Sequence, residues 1–234
     1  AESESEAARD SRADKPINSP FRVKKTTSMK KININGYLED IIERSDYPLE
    51  RCRDILAKEV TAILGYGPQG SGQSLNMRDQ GFNVILGLRK GSSWEKALSD
   101  GWLIGENLFE IEEAVKRGTI IQFLLSDAGQ IHAWQTVKEN LSPGNALYFS
   151  HGFGIVFSEQ TKIEPPKDID VILVAPKGSG LTVRTHFLQG RGINASFAIH
   201  QDCTGNARDR CIATAFAIGS GHLFETTFEK EVHS

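Results

Sequence analysis

Cysteine is scarce in this 234-residue chain. Cys52, Cys203 and Cys211 are an odd number, and no two form a CxxC pair. A disulfide framework and a zinc knuckle are both excluded on that ground. Long apolar runs are missing too. The stretch 171–175 (VILVA) is typical of the longest, far short of the roughly 18 residues that a membrane span needs. Nor is there a positive excess: 27 Lys and Arg stand against 30 Asp and Glu, a net charge of −3. That balance argues against a nucleic-acid coat or a basic membrane binder. His132, His186, His200, His222 and His233 show no HxH or HExxH spacing, so no metal set is complete within the chain. What these absences leave is a soluble, reduced, intracellular protein of ordinary globular composition, 39% apolar and 24% charged.

Residues 1–20 are polar, with Glu2, Glu4, Glu6, Asp10 and Asp14 and prolines at 16 and 20, and read as disordered. The stretch is too acidic for an intact transit peptide. Residues 22–31 (RVKKTTSMKK) turn basic. They suit either a tether to an acidic partner or a solvated linker. Residues 1–32 are therefore read as a disordered or linker extension, and 33–234 as one domain.

Within that domain short apolar runs recur at 60–64 (VTAIL), 83–88 (NVILGL), 120–125 (IIQFLL), 146–149 (ALYF) and 171–175 (VILVA). Helical stretches lie between them near 69–80, 93–100, 110–117, 130–140 and 181–189. A short strand at 196–200 and one apolar helix at 203–218 follow. Continuous apolar strands alternating with helices predict an α/β fold, a doubly wound, mostly parallel sheet of Rossmann type with helices on both faces.

The sequence Gly65-Tyr66-Gly67-Pro68-Gln69-Gly70 is a GxGxxG. Alone the motif is weak, but here it follows a predicted strand and opens a predicted helix. Gly65 permits the tight turn, Gly67 lets the backbone approach a pyrophosphate, and Gly70 lets helix and strand pack closely. The helix N-terminus adds N–H groups and partial positive charge. A plain glycine turn is the alternative. An NAD site would place a carboxylate about 20 residues on, for the ribose hydroxyls. This chain instead has Arg89 and Lys90, then Gly91, Ser92 and Ser93. Those groups suit a 2′-phosphate and predict NADPH over NADH, unless both cations are ordinary surface charges.

Three further clusters follow predicted strands, where open α/β sheets place their ligands. Ser126-Asp127-Ala128-Gly129-Gln130 follows IIQFLL, and Asp127 suits a helix cap, a cofactor groove or both. Ser150-His151-Gly152 follows ALYF; His151 is either a proton shuttle or a hydrogen-bonded loop residue. Pro176-Lys177-Gly178-Ser179-Gly180 follows VILVA; Lys177 is either an oxyanion-stabilising group or an exposed loop lysine.

Taken together, the stretches GYGPQGSGQSLNMRDQGFNVILGLRK (65–90), LLSDAGQ (124–130), LYFSHGFG (147–154) and PPKDIDVILVAPKGSG (165–180) resemble the N-terminal half of ketol-acid reductoisomerase, also called acetohydroxy-acid isomeroreductase. GRGIN (190–194), AIGSG (217–221) and FETTFEKEVHS (224–234) continue the resemblance, which covers roughly residues 33–234. It implies a two-part reaction in branched-chain amino-acid synthesis. A magnesium-dependent alkyl migration in 2-acetolactate, or in 2-aceto-2-hydroxybutyrate, precedes reduction by NADPH. It further implies that Tyr66, Gly67, Pro68 and Gln69 contact the pyrophosphate, and that Arg89, Lys90, Ser92 and Ser93 hold the 2′-phosphate. Asp127, Ala128, Gly129, Gln130 and Gly180 would line the groove, with His151 and Lys177 in catalytic positions. After EVHS the family continues with Asp-Leu-x-Gly-Glu, whose carboxylates bind Mg2+, and then with an all-helical domain. The expectation is therefore a fragment that binds NADPH without catalysing, and that forms a homo-oligomer when the helical domain is present. The implied compartment is a plastid stroma or mitochondrial matrix, or a bacterial cytoplasm. The alternatives are a non-catalytic NADP-binding module of a larger assembly, or a different NADP-dependent reductase. An apolar face left by the helical domain is expected within 203–228.

Overall fold

The computed structural model describes residues 30–34 and 36–233. In chain order its elements are β1 (Lys30–Ile34), β2 (Tyr37–Ile42), α1 (Leu49–Ile55), β3 (Thr61–Leu64), α2 (Pro68–Asp79), β4 (Val84–Gly87), α3 (Ser92–Ser99), β5 (Leu108–Phe109), α4 (Ile111–Arg117) and β6 (Ile120–Phe123). They continue as α5 (Asp127–Asn140), β7 (Ala146–Phe149), α6 (Phe153–Val156), α7 (Ser158–Thr161), β8 (Asp170–Pro176), α8 (Gly180–Leu188), β9 (Ile193–Gln201), α9 (Ala207–Ala217), β10 (Ser220–Glu225) and α10 (Phe228–Val232).

The strands form one sheet in the order β1-β2-β10-β9-β8-β7-β6-β3-β4-β5. From β5 to β8 every pairing is parallel. β9 then runs antiparallel to β8, β10 runs parallel to β9, and the β1–β2 hairpin is antiparallel along that edge. The doubly wound, mostly parallel Rossmann-type sheet is thus present, with an edge of mixed direction. Every residue of β3, β4, β6 and β7 is buried, as strands covered on both faces require. Strand periodicity divides these runs between two cores. Ile63, Leu86, Ile120, Tyr148 and Ile172 pack under α2, α3 and α9. Ala62, Leu64, Ile121, Phe123, Leu147 and Leu173 pack under α4, α5 and α6.

Several expectations need correction. β1 begins at Lys30, so residues 30–32 belong to a strand and not to a linker. Of the basic 22–31 segment only Lys30 and Lys31 lie within the described residues; they face Glu43 and Asp40 across the hairpin. The late helix starts at Ala207, not at 203. The buried carboxylate of Asp170 accepts from the N–H groups of Cys203 and Thr204 and from the Thr204 hydroxyl, which holds that stretch in a loop. Nor does 203–228 form an exposed apolar face, since α9 is buried over most of its length. Among the described residues the exposed large apolar side chains are Leu103, Ile104, Ile131, Leu181 and Leu188. The three cysteines are free thiols, and burial pushes that of Cys211 up to about 12. Among the described residues no helix is long and apolar enough to cross a membrane.

At the amino ends of the strands, Arg210 of α9 joins four segments. Its Nη1 donates to Gly144 O and Asp170 Oδ2, and its Nη2 to Thr119 O and Glu59 Oε2. Its Nε lies 3.0 Å from Glu59 Oε1. Glu59 also accepts from the Thr119 hydroxyl. Arg210 and Asp170 are both buried, so this is a desolvated ion cluster in which both Nη groups are hydrogen-bonded, while Nε faces Glu59 without a hydrogen bond.

Candidate functional site

The crossover from β3 to β4 and β5 runs one way along the sheet, and that through β6, β7 and β8 runs the other. β3 and β6 are neighbours, so the winding reverses between them. Crevices beyond the carboxyl ends of strands at such a reversal are where open α/β sheets bind ligands. A cleft of about 420 Å³ lies there, within the usual range for a small-molecule site. It is lined by three loops: Gly65 to Gly67 after β3, Leu88 to Ser93 after β4, and Leu124 to Ser126 after β6. A larger cavity, about 510 Å³, opens at the amino ends of the strands around Arg210. Both Nη groups of Arg210 are already engaged there, and that end of an open sheet is not where ligands sit, so the smaller cleft is the candidate.

The glycines act as their spacing implies. Gly65 has φ +102°, and a Cβ on it would stand 2.7 Å from Leu124 O. A Cβ on Gly70 would stand 2.1 Å from Gly65 O, so only glycine lets α2 start this close to β3. Gly67 is different: a Cβ there would meet nothing within 4 Å. Gly67 therefore borders open space at the helix N-terminus. No side chain caps α2, which leaves its first-turn N–H groups available to an anion. The residues present thus fit a dinucleotide phosphate. On the far side of the cleft Arg89, Lys90, Ser92 and Ser93 are exposed. Lys90 lies 3.6 Å from Glu110, an exposed pair of small energetic worth that a phosphate can displace.

Beyond the cleft, Lys177 ends the β8 loop. Its Nζ donates to both carboxylate oxygens of Glu231, at 3.0 and 2.9 Å. Glu231 belongs to α10, which also backs the histidine loop: a Cβ on Gly152 would stand 2.5 Å from Phe228 O. His151 itself is exposed. A buried amide chain ties these loops to the glycine loop. Gln69 Nε2 donates to Gly178 O; Gln73 Nε2 donates to Gln69 Oε1 and Ser150 Oγ; Tyr148 Oη donates to Gln73 Oε1.

A family model described as "Acetohydroxy acid isomeroreductase, NADPH-binding domain" matches residues 55–223, well over half of the chain. The chain belongs to the acetohydroxy acid isomeroreductase family. It is 52% identical over 229 residues to the mitochondrial ketol-acid reductoisomerase of Neurospora crassa, covering 97% of this chain and 57% of that one. It is 56% identical over 207 residues to the ketol-acid reductoisomerase (NAD(+)) of Desulfosudis oleivorans, covering 88% and 59%. A solved NADH-preferring ketol-acid reductoisomerase from an uncultured archean matches with a TM-score of 0.76 at 34% identity, covering 83% and 58%. The chain thus spans little more than half the length of these relatives.

In this chain the expected residues fall into two groups. Gly65, Tyr66, Gly67, Arg89, Lys90, Ser92 and Ser93 come together at the cleft, while Pro68, Gln69 and Gly70 open α2 beside it. The β6 loop presents Ser126 rather than the residues after it. Ser126 also caps α5 by accepting from Gly129 N. Asp127 and Ala128 are exposed in the first turn of α5 and Gly129 is half-buried. Gln130 turns inward and donates to Phe123 O and Leu125 O. Gly180 does not face the cleft; a Cβ on it would stand 1.8 Å from Pro68 O, so it is the seat of α2 against α8. Glu231 was not singled out as a site residue, although it stands in the FETTFEKEVHS stretch that carries the resemblance. Among the described residues no cluster of three or more His, Cys, Asp or Glu could hold a metal.

Proposed function

We propose that this chain is the NADPH-binding part of a ketol-acid reductoisomerase acting on a 2-hydroxy-2-methyl-3-oxo acid in branched-chain amino-acid synthesis. The observation that carries the reading is the pairing, across one cleft, of an uncapped helix behind Gly67 with the Arg89-to-Ser93 loop. NADPH bound there supplies hydride. The first-turn N–H groups of α2 take the pyrophosphate. Arg89, with Lys90 and the hydroxyls of Ser92 and Ser93, takes the 2′-phosphate through charge-assisted hydrogen bonds. Asp127, Ala128, Gly129, Gln130 and Gly180 support the groove walls through α5 and α8. Lys177, oriented by Glu231, stabilises negative charge on a substrate oxygen. His151 stands one strand away, placed to exchange a proton. The Neurospora relative's name supports the mitochondrial matrix as the compartment, and a homo-oligomer is the proposed assembly.

Because the family model's description names NADPH whereas the Desulfosudis relative's name carries NAD(+), the cofactor choice rests on the chain's own side chains. Fluorescence titration is expected to show NADPH bound about tenfold to a hundredfold more tightly than NADH, with Arg89→Ala removing most of that margin. Equal affinity for the two cofactors in the unmodified chain would refute the NADPH reading.

A second titration tests the phosphate loop. Gly67→Ala is expected to leave folding stability within about 0.5 kcal/mol, since its Cβ enters open space. It should lower affinity for both NADPH and NADH by about tenfold, because both carry the pyrophosphate that must approach there. Unchanged binding would place the pyrophosphate elsewhere.

A further inference from the structure

We propose that the Tyr66 hydroxyl is a positioning group for the dinucleotide, one that fixes the separation between the pyrophosphate loop and the 2′-phosphate loop. This rests on the reading that the cleft takes NADPH. Tyr66 sits in the middle of the glycine loop, yet it is only 3% exposed. Its Oη donates to Asp100 Oδ2 and accepts from Trp102 Nε1, both at 2.9 Å. Trp102 is 1% exposed and meets the Tyr66 ring edge-on. Arg78 closes the group: its guanidinium lies over the Trp102 ring and its Nη1 donates to Asp100 O. Burial raises the Tyr66 phenol above its ordinary pKa, so it remains a neutral donor.

Asp100 is the C-cap of α3, and the same helix opens with Ser92 and Ser93 at the cleft. One end of α3 is therefore tied to the glycine loop through Tyr66, while the other end presents the 2′-phosphate groups. The helix is about 12 Å long, so a small tilt at the tied end displaces the serines at the other. A ligand that must reach both loops gains its second contact at an effective concentration set by how firmly the loops are spaced. A ligand that needs only one loop does not depend on that spacing.

The test uses this chain and three ligands: NADPH, NADH without the 2′-phosphate, and adenosine 2′-monophosphate without the pyrophosphate. Tyr66→Phe keeps the ring and removes the hydroxyl. It is expected to weaken NADPH roughly five- to tenfold while the other two change by less than about twofold. Asp100→Ala breaks the same link from the helix side, at a half-buried position where folding does not depend on the phenol. It should show the same selective loss, and Asp100→Asn, which keeps an acceptor oxygen, should restore NADPH binding. Unchanged NADPH affinity in both Tyr66→Phe and Asp100→Ala overturns the proposal. So does an equal loss for all three ligands, the mark of a loosened fold. Equal affinity for NADPH and NADH before any substitution overturns the underlying cofactor reading as well, and is thereby told apart.

Discussion

Replacing Arg210 by methionine is expected to cost about 3–5 kcal/mol of folding stability, the usual result of removing one partner from a buried ion cluster. The methylene stem is largely kept, so the loss comes from charge and hydrogen bonds rather than volume. Without Arg210, the carboxylates of Glu59 and Asp170 and the carbonyls of Gly144 and Thr119 lose their shared donor. In a chain this long the melting temperature should fall by roughly 10 °C or more. Acidification separates this account from simple packing damage. For Asp170 burial acts to raise the pKa, but the donors from Thr204 and Arg210 outweigh it, and the net pKa lies below the ordinary value of 3.8. Its contribution is therefore complete above that ordinary value and is lost as pH falls through the lower, folded pKa. In the methionine variant burial acts with less opposition and the folded pKa moves upward. The variant then gains relative stability on acidification, and its deficit should narrow as pH falls through and below the ordinary value of 3.8. A deficit that does not change with pH would mean that charge is not what Arg210 contributes.

The second large effect is expected at Gly180. A Cβ there would stand 1.8 Å from Pro68 O, 2.0 Å from Pro68 C and 2.4 Å from Gln69 N. All three are backbone atoms, so no flexible side chain can move aside. Gly180→Ala should cost about 3 kcal/mol, at the upper end of overpacking effects, and lower the melting temperature by roughly 6–12 °C. It should also weaken NADPH by about tenfold, because the displaced atoms are those of the glycine loop. Gly67→Ala offers the contrast of lost binding with little lost stability. If Gly180→Ala melts like the unmodified chain, α2 and α8 are not packed as closely as described.

How much of this was legible in the sequence depended on burial. VTAIL, NVILGL, ALYF and VILVA are continuous apolar runs because both faces of the sheet are covered, and their positions were read to within a few residues. β10 (SGHLFE) buries only Ser220 and Leu223 fully and contains Gly221 and His222, so it has no such run. The β1–β2 hairpin offers no continuous apolar run, because charged and polar residues interrupt KKINI and YLEDII. The antiparallel turn of β9 cannot be read from composition, since the run that forms it would serve either direction. The glycine loop and the Arg89-to-Ser93 loop were legible because each is local. Glu231 was not, because it reaches Lys177 from 54 residues away on a five-residue helix. Gln130 misled for a related reason: a polar residue after a strand reads as groove lining, whereas its amide serves the carbonyls of Phe123 and Leu125. The α2 helix conceals most. Gln73, Ser74 and Asn76 are fully buried; Gln73 and Asn76 find partners on β7, α8 and the end of α9, and the Ser74 hydroxyl donates back to Ser71 O within the helix.

The contact between α2 and α8 also limits how this protein can move. Gly72 and Gly180 meet backbone to backbone, and Gln69 is bonded to the loop that bears Lys177. No soft layer of side chains separates the glycine loop from the loop that bears Lys177, so the two have no room to slide or hinge against each other. Any opening of the cleft must then come from parts outside this block, which travels as one body. Crystals or spectra taken with and without nucleotide should show the distance from Pro68 to Lys177 unchanged while other distances vary.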